Sequence, residues 1–360
     1  MSLTAYNKIA VDVAERVNAS RERFFAGRQK VARPVEELFP VSDRASLGLF
    51  LAYEQMGNRP VSEALDAEAE RLGVTFEHLG LTIGTVIHGI DLRQTLSQTQ
   101  IAFLRQVLLE RKVIFAREQW LSEDQQVAFA RYFGGLDAFP FGKRGDNPFI
   151  VEIHHDKDRP GVENGWHTDV TWMEQPSLGS VAQMIIAPPY GGDTLFSDSQ
   201  AAYLGLPKAV QSRLQDVYGV HDYRLFLGKS KGALAPELVA EIKAQIPFGV
   251  SHPLLRTHPE TGKTGLYIHG GFLRRDSLFD RRADAPLPAT ECQQLVSLLL
   301  AQHARPEYTC RFSWAAGSIA FWDNRAAQHY AVSDYYPHER LLRRVTISGD
   351  RPYYNPQQCN

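Results

Sequence analysis

The chain has 360 residues, 44% hydrophobic and 22% charged, a balance typical of a globular protein that buries a sizeable core. Its 39 Lys and Arg residues nearly cancel its 41 Asp and Glu residues, so the net charge of -2 provides no basic surface for nucleic acid or anionic membrane. No apolar run approaches the roughly 18 residues of a membrane span, and three widely spaced cysteines predict neither disulfides nor a zinc cage, so we expect a cytoplasmic protein without nucleic-acid or membrane partners.

The N-terminal part of the chain predicts a helical extension. Apolar residues recur at helical spacing within Ala5–Phe25, in a second run that Gly57 would end, and in a third that opens at Pro60. We therefore divide the chain into an extension, residues 1–72, and a main domain, residues 73–360. We expect the extension to pack on the main domain or on a neighbouring subunit, with a lid or partner-binding element as the alternative.

Two helices with clear start signals flank the first strands of the main domain. Ser97 with Gln100, and Ser122 with Gln125, have the spacing of capping boxes, in which each side chain satisfies a backbone N–H of the other residue. The strands predicted beside these helices are Leu81–Ile87 and Lys112–Ala116.

After Gly165 the chain becomes a series of short segments separated by turns. The predicted strands are Val181–Ile186, Gly192–Asp198, Gly265–Ile268, Gly317–Trp322 and Leu341–Ser348. The predicted helices between them are Gln200–Tyr203, Pro207–Val217, Pro236–Ala244 and Thr290–Ala301. Short strands with Gly and Pro punctuation favour antiparallel hairpins over long helical crossovers, so we predict a mainly β fold with flanking helices and a jelly-roll core.

A candidate metal site begins with the His-x-Asp pair in Gly165–Trp172. If this stretch is a strand, alternation places His167 and Asp169 on one face and turns Thr168 back into the sheet. His329 follows an apolar strand far along the chain and would supply a third ligand. Two imidazoles and one carboxylate bind one face of an octahedral ion and leave positions open, the arrangement of non-haem Fe(II) oxygenases.

Two arginines near the end of the chain suggest an anion site. On a strand, Arg340 and Arg344 face the same way, about 13 Å apart, while Arg343 faces the other way. One guanidinium can hold the distal carboxylate of 2-oxoglutarate, which supplies electrons to such iron centres, and the second is then available for a substrate. A solvated basic edge strand is the alternative, but Leu342 on the same face disfavours it.

The sequence resembles the taurine dioxygenase (TauD/TfdA-like) family of Fe(II)- and 2-oxoglutarate-dependent dioxygenases from about Val74 to Tyr354. The motifs that carry the resemblance are His167-x-Asp169, Gly191-Gly192-Asp193-Thr194, His258-Pro259-Glu260-Thr261-Gly262, Trp322-Asp323-Asn324-Arg325, Gln328-His329-Tyr330 and the pair Arg340 and Arg344. Several motifs in the right order are far more specific than any one of them.

The resemblance implies a double-stranded β-helix, or jelly roll, in which the three ligands named above bind iron. It also implies that Thr194 hydrogen-bonds 2-oxoglutarate, that Arg340 pairs with the distal carboxylate of this cosubstrate, and that Arg344 meets the anionic group of a substrate. The implied reaction consumes O2 and oxidises, by default hydroxylates, an aliphatic C–H with release of succinate and CO2. Desaturation or another oxidative rearrangement, and a non-catalytic metal-binding jelly-roll protein, are the alternatives; a homodimer or homotetramer fits the family habit.

The sequence leaves the taurine pattern around the expected substrate pocket. Glu163 stands four residues before the first ligand, where the taurine enzyme has Asn, and the stretch around Phe139 lacks that enzyme's His and Tyr. His269 lies where the family often has Asn before a pocket Phe, here Phe272. The residues expected to line the pocket are Phe139, Glu163, Trp172, His269, Phe272 and Arg344. We therefore expect a small anionic molecule with a larger or more apolar body than taurine.

Overall fold

A computed structural model of the chain describes residues 44–138, 147–224, 236–245 and 249–358. These residues belong to one compact unit that spans Val41–Asn360. The predicted helix Ala5–Phe25 and the predicted pocket residue Phe139 lie outside the described residues.

The described residues form helices and short strands in alternation. The helices are α1 (Arg44–Glu54), α2 (Glu63–Leu72), α3 (Gln98–Arg111), α4 (Glu123–Arg131), α5 (Ser199–Leu204), α6 (Lys208–Leu214), α7 (Pro236–Gln245) and α8 (Ala289–His303). The strands are β1 (Thr75–His78), β2 (Thr85–His88), β3 (Val113–Ala116), β4 (Leu136–Asp137), β5 (Ile150–His155), β6 (Gly179–Ile186), β7 (Thr194–Asp198), β8 (Val217–His221), β9 (Val250–Pro253), β10 (Leu255–Thr257), β11 (Thr264–Leu266), β12 (Phe279–Asp280), β13 (Ala285–Pro286), β14 (Thr309–Phe312), β15 (Ile319–Asp323), β16 (Ala327–Ala331) and β17 (Arg340–Ile347). No helix in these residues is long and apolar enough to cross a membrane.

Both predicted capping boxes are present. Before α3, the Ser97 hydroxyl accepts a hydrogen bond from the Gln100 backbone N–H at 3.2 Å, and the Gln100 side chain accepts one from the Ser97 N–H at 3.0 Å. Ser122 and Gln125 make the same reciprocal pair before α4. These local contacts satisfy N–H groups that have no partner inside a helix, so both helix starts are confirmed.

The largest sheet has the strand order β1-β2-β3-β15-β6-β17-β4, and β5 also pairs with β17. Only β2 and β3 pair in parallel among the described strands of this sheet. Alternate residues of its central strands enter two different apolar clusters. Ile114 and Phe321 pack in the cluster that includes residues of α3 and α4. Phe115 and Trp322 face the opposite way, so the central strands are buried on both faces.

A smaller sheet, β14-β7-β16, covers the second face of the large sheet. Phe196 on β7 and Phe312 on β14 join Phe115 in one apolar layer, and the rings of Phe115 and Phe312 stack with centroids 3.9 Å apart. Burial of such large aromatic side chains is a major stabilising contribution. The predicted mainly β fold with flanking helices is confirmed.

A third apolar cluster joins the four-stranded sheet β13-β12-β8-β9 to α1, α5 and α8. Helix α1 approaches α5 so closely that a Cβ on Gly48 would lie 2.4 Å from the Ala201 carbonyl oxygen. Helix α2 contacts α3. The part of the predicted extension that is described therefore packs on the main domain, and the boundary at residue 72 stays a prediction.

Some predicted boundaries differ from the observed ones. The strand predicted from Leu81 begins only at Thr85, because Gly84 adopts a left-handed conformation at the end of a preceding turn. The helix predicted to reach Val217 ends at Leu214, and Val217 opens β8. The remaining strands were absent from the prediction, because short runs with mixed polarity carry little periodicity; they are β1, β4, β5, β8, β9, β10, β12, β13, β14 and β16.

His303 gives the fold a testable pH dependence. Burial lowers the pKa of His303 to about 3, and its Nδ1 contacts the Ser197 hydroxyl at 3.2 Å. Because the unfolded chain has a histidine pKa of about 6.5, this contribution to stability is complete above that pH and is lost as the pH falls. We expect the free energy of unfolding at pH 5 to be about 2 kcal/mol lower than at pH 7.5 because of His303.

The measurement is urea unfolding of the wild type and of His303→Gln at both pH values. The difference in unfolding free energy between the two pH values should be smaller in the variant by about that amount. The exposed His154→Gln serves as the control and should leave the difference unchanged. Equal pH dependence in the wild type and His303→Gln would contradict the assignment.

Candidate active site

Three predicted ligands come together at one end of the two facing sheets. One ligand atom from each of His167, Asp169 and His329 lies within 4.8 Å of the other two. Asp169 and His329 are buried, and His167 is partly exposed. The cluster therefore has a solvent-accessible side and two protected ligands.

A backbone bridge sets the two histidines side by side. The His167 N–H donates to the His329 carbonyl at 3.0 Å, and the His329 N–H donates to the His167 carbonyl at 2.7 Å. The His167 Nδ1 lies 2.8 Å from the Gly165 carbonyl oxygen. Since a carbonyl can only accept, Nδ1 carries the proton and the Nε2 lone pair of His167 is available to a metal ion.

The stretch Gly165–Trp172 is not the predicted strand. Its only ladder contact is the single bridge at His167, and the chain then turns at Val170, whose φ is 47°. A β-branched residue rarely adopts this conformation, and such strain is found at functional sites. Thr168 still faces away from the ligand cluster, because its hydroxyl donates to the Asn324 carbonyl at 2.8 Å.

Charge interactions keep the carboxylate ionised. Asp169 Oδ1 accepts from Arg344 Nη1 at 3.1 Å, and Oδ2 accepts from the Ser180 hydroxyl at 3.2 Å. Burial by itself would raise the pKa of Asp169, but the Arg344 charge, with smaller effects of His329 and His167, holds this pKa below its usual range. Asp169 is therefore an anionic ligand at neutral pH.

The histidine on β16 is neutral. Burial and the neighbouring His167 lower the pKa of His329 to about 3. Its Nε2 faces Asp169 Oδ1 at 3.9 Å, and its Nδ1 is a buried atom without a hydrogen-bond partner among the described residues. Two imidazoles and one carboxylate are a donor set that fits Fe(II).

The predicted cosubstrate residues lie on the two facing sheets. Arg340 on β17 is buried, its Nε donates to the Gly192 carbonyl at 3.3 Å, and none of the ion pairs found in the described residues includes its guanidinium. Gly192 has φ 69°, and a Cβ there would lie 3.2 Å from Arg340 Cδ and Nε. Thr194 on β7 is buried, and its hydroxyl accepts from Trp314 Nε1 at 2.9 Å. A buried guanidinium without a carboxylate partner fits an anionic cosubstrate.

His269 presents a donor beside the ligand cluster. Its Nδ1 accepts from the backbone N–H groups of Gly271 and Phe272 at 2.8 and 2.9 Å. The proton must therefore lie on Nε2, which is buried and has no hydrogen-bond partner among the described residues. The His269 ring centroid lies 5.7 Å from that of His167, and burial lowers the pKa of His269 far enough to keep it neutral.

Aromatic side chains flank this donor. The Phe272 and His269 ring centroids are 4.2 Å apart, and the fully buried Trp172 meets Phe272 and Tyr223 edge-on at 6.5 and 5.9 Å. This places two of the predicted pocket residues, Trp172 and Phe272, on one side of His269.

Glu163 has a different neighbourhood from the one expected. Its carboxylate pairs with His155 Nε2 at 3.2 Å, and His155 on β5 lies directly opposite Arg340 on β17. This contact is on the cosubstrate side of the site. The sequence did not indicate this contact, because nothing local shows which residue a buried histidine will meet.

Sequence reasoning missed the residues that support the ligands. Asn324 accepts from the Asp169 N–H at 3.4 Å and from Trp322 Nε1 at 2.9 Å, and its own amide donates to Ser177 at 2.8 Å. The signal for Asn324 was its place in the motif Trp322–Arg325. Ser180 carried no signal, because one serine on an apolar strand has no distinguishing pattern.

Comparison with known proteins places most of the chain in one family. The family model described as "Taurine catabolism dioxygenase TauD, TfdA family" matches residues 75–346. An alkylsulfatase of Acinetobacter baylyi is 34% identical over 273 residues, which cover 74% of this chain and 83% of that protein. An alpha-ketoglutarate-dependent sulfate ester dioxygenase of Pseudomonas putida is 32% identical over 275 residues, covering 75% and 88%.

A solved structure also resembles the chain. A taurine dioxygenase from Burkholderia xenovorans has a TM-score of 0.65 and 34% sequence identity, and the match covers 79% of this chain and 94% of that protein. The likeness therefore extends over nearly the whole length of the related structure.

Removal of a ligand should abolish metal binding without unfolding the protein. We expect His329→Ala to weaken Mn(II) or Fe(II) binding by at least about 100-fold, since a three-residue site loses one of its bonds. Calorimetric titration measures the affinity, and circular dichroism checks the fold. His154→Ala, on an exposed histidine of β5, is the matched control. Loss of the folded state in metal-free His329→Ala would instead indicate a purely structural site.

Proposed function

The chain belongs to the TauD/TfdA family and is a non-haem iron dioxygenase that uses Fe(II), 2-oxoglutarate and O2, and from this premise we propose that it oxidises a sulfate ester of an aliphatic alcohol. When bound, the iron and its two cosubstrates supply the oxidising power that hydroxylates an aliphatic C–H with release of succinate and CO2. The observation that carries the substrate class is the buried N–H of His269 beside the ligand cluster, which has no hydrogen-bond partner in the part of the chain that the structure describes.

In the proposed site, His167, Asp169 and His329 hold the metal ion. Arg340 pairs with the distal carboxylate of 2-oxoglutarate, and Thr194 hydrogen-bonds the same cosubstrate. Both residues are buried on strands of facing sheets, which limits their motion.

The sulfate group of the substrate would lie between Arg344 and His269. Arg344, whose guanidinium carries five N–H donors and pairs with Asp169, would contact the sulfate oxygens from one side. His269 adds a neutral donor whose direction is fixed by two backbone hydrogen bonds. A tetrahedral oxyanion with several acceptor oxygens can meet both donors at once. A sulfonate presents the same three terminal oxygens as a sulfate ester, whereas a carboxylate presents only two, so these donors disfavour a carboxylate.

The aromatic residues would receive the apolar part of the molecule. Phe272, which is partly exposed next to His269, would contact the alkyl chain, and the buried Trp172 and Tyr223 would support Phe272 from behind. Two relatives that are more than 30% identical are named for alkyl sulfates and sulfate esters, which supports this substrate class. Phe139, which we also place in the pocket, lies outside the described residues. Glu163 was expected here, but its pairing with His155 favours a role on the cosubstrate side.

We extend the proposal to the fold and to the setting of the enzyme. The two facing antiparallel sheets support a double-stranded β-helix core. The division at residue 72, a cytoplasmic location and a homodimer or homotetramer remain predictions. Desaturation or another oxidative step on the same scaffold would use the same ligands and is separated from hydroxylation by the product.

Turnover of a primary alkyl sulfate should release inorganic sulfate in step with succinate. Hydroxylation at the carbon that bears the sulfate gives a carbon with both a hydroxyl and a sulfate, which expels sulfate and leaves an aldehyde. We expect one sulfate, one aldehyde and one succinate per O2 consumed, measured by chromatography. Taurine, a matched alkyl sulfonate and a matched alkyl carboxylate are the comparison substrates. Succinate release with taurine but not with the alkyl sulfate would contradict the proposed substrate.

His269→Ala should weaken substrate binding selectively. Loss of a hydrogen bond to a charged group costs about 1.5–3 kcal/mol, so the KM for the alkyl sulfate should rise about 10- to 100-fold. The dissociation constant of 2-oxoglutarate, measured by calorimetry, should not change. His269→Asn is the matched variant, because its amide can accept from the backbone and also donate; it should recover part of the loss. An unchanged KM in His269→Ala would remove His269 from the substrate site.

A further inference from the structure

The segment 161–164, which precedes the first predicted metal ligand, contacts β5 and the residues that lead into β17, the strand that carries Arg340. The Glu163 side chain is 44% exposed, yet its carboxylate reaches His155 Nε2 at 3.2 Å, and the His155 side chain is only 6% exposed. Asn164 accepts a hydrogen bond from the Ser333 N–H at 2.9 Å. The segment therefore has two contacts with residues that lie close to the cosubstrate side of the site.

His155 and Arg340 are direct neighbours. They lie opposite each other in the antiparallel pair β5–β17, so their side chains share one face of the sheet. Tyr335 covers both of them: its ring centroid lies 6.3 Å from the ring centroid of His155 and 5.7 Å from Arg340 Cζ. A guanidinium over an aromatic face at this distance is attracted by the ring.

His155 contacts Glu163 with one ring nitrogen and Tyr335 with the other. Nε2 lies 3.2 Å from a Glu163 carboxylate oxygen, which can only accept, so an attractive contact here requires a proton on Nε2. Nδ1 lies 2.7 Å from the Tyr335 hydroxyl. The Tyr335 hydroxyl can either donate to Nδ1 or accept from it, so the contacts from Glu163 through His155 to Tyr335 form a continuous chain.

The segment backbone also packs on Tyr335. A Cβ on Gly161 would lie 2.3 Å from the Tyr335 hydroxyl oxygen and 3.1 Å from His155 Nδ1. Only glycine leaves room for the segment to approach this closely. Tyr335 is thus enclosed by the segment on one side and by Arg340 on another.

We propose that Glu163, His155 and Tyr335 form a positioning relay that holds the Arg340 guanidinium in place for the distal carboxylate of 2-oxoglutarate. The relay rests on the proposed function, in which Arg340 binds that carboxylate. It makes Glu163 a cosubstrate-positioning residue rather than a substrate contact. Because Glu163 lies four residues before His167, the relay would connect the metal end of the cosubstrate site to the end that holds the distal carboxylate.

The relay predicts weaker 2-oxoglutarate binding when the Glu163 side chain is removed, whereas an effect of its charge alone predicts tighter binding. A carboxylate near Arg340 repels an anionic cosubstrate, so removal of its charge alone would tighten 2-oxoglutarate binding. The relay requires an acceptor for the His155 N–H. Glu163→Ala removes both the charge and the acceptor, whereas Glu163→Gln removes the charge but keeps an acceptor oxygen. The two variants therefore separate the two effects.

The experiment is calorimetric titration of Mn(II)-loaded full-length protein with 2-oxoglutarate in the absence of oxygen. We expect Glu163→Ala to raise the dissociation constant about fivefold and Tyr335→Phe about threefold, as for other supporting residues of a binding site. For Glu163→Gln we expect a dissociation constant close to that of the wild type. The matched control is Glu339→Ala, since Glu339 pairs with the neighbouring His154 at 2.8 Å on the exposed face of the same strand pair; it should leave the constant unchanged.

Arg340→Gln separates failure of the relay from failure of the proposed function. We expect this variant to raise the dissociation constant about 100-fold, because a charge-assisted bidentate contact is lost. If Arg340→Gln binds 2-oxoglutarate like the wild type, the assigned cosubstrate site is wrong and the relay falls with it. If Arg340→Gln weakens binding while Glu163→Ala binds as tightly as the wild type or tighter, only the relay is overturned.

Discussion

The backbone bridge between His167 and His329 is the contact on which the rest of the site depends. Two hydrogen bonds, 3.0 and 2.7 Å long, join segments that are far apart in the chain. They bring both imidazoles to one place, and the chain turns immediately after the bridge so that Asp169 completes the cluster. A metal site built in this way exists only when both sheets are in place.

Asn324 and its neighbours reinforce the bridge from the other side. The Asn324 carbonyl accepts from the Thr168 hydroxyl, and the Asn324 side chain accepts from the Asp169 N–H. Asn324 belongs to the turn between β15 and β16 that leads to His329. The turn is held by Asp323, which accepts from Arg325 and from His258 in a buried cluster. Buried ion pairs of this kind contribute little net stability, but removal of one partner leaves an uncompensated charge. Their value here lies in fixing the position of the turn.

The two arginines of β17 lie on one face of the strand, and in the proposed site they bind the cosubstrate and the substrate. Alternation predicted that Arg340 and Arg344 share a face, and both are buried while Arg343 pairs with Glu152 on the other face. Each guanidinium has its own surroundings: Arg340 lies on Tyr335, and Arg344 pairs with a metal ligand. The strand therefore spaces the cosubstrate and substrate ends of the proposed site by its own rise per residue.

The sequence alone determined what depends on short range and on residue chemistry: two capping boxes, the alternation on β17, and the set of two imidazoles and one carboxylate. The tertiary structure decided the turn at Val170, the Nε2–H tautomer of His269, the pairing of Arg344 with Asp169 and the place of Glu163 beside His155. The pairing of Arg344 with Asp169 joins segments 175 residues apart, whereas the His269 tautomer is set by N–H groups only two and three residues ahead, in a backbone conformation that the sequence does not show. Local patterns specify which groups a residue can bind, whereas only packing brings one particular partner within hydrogen-bond distance.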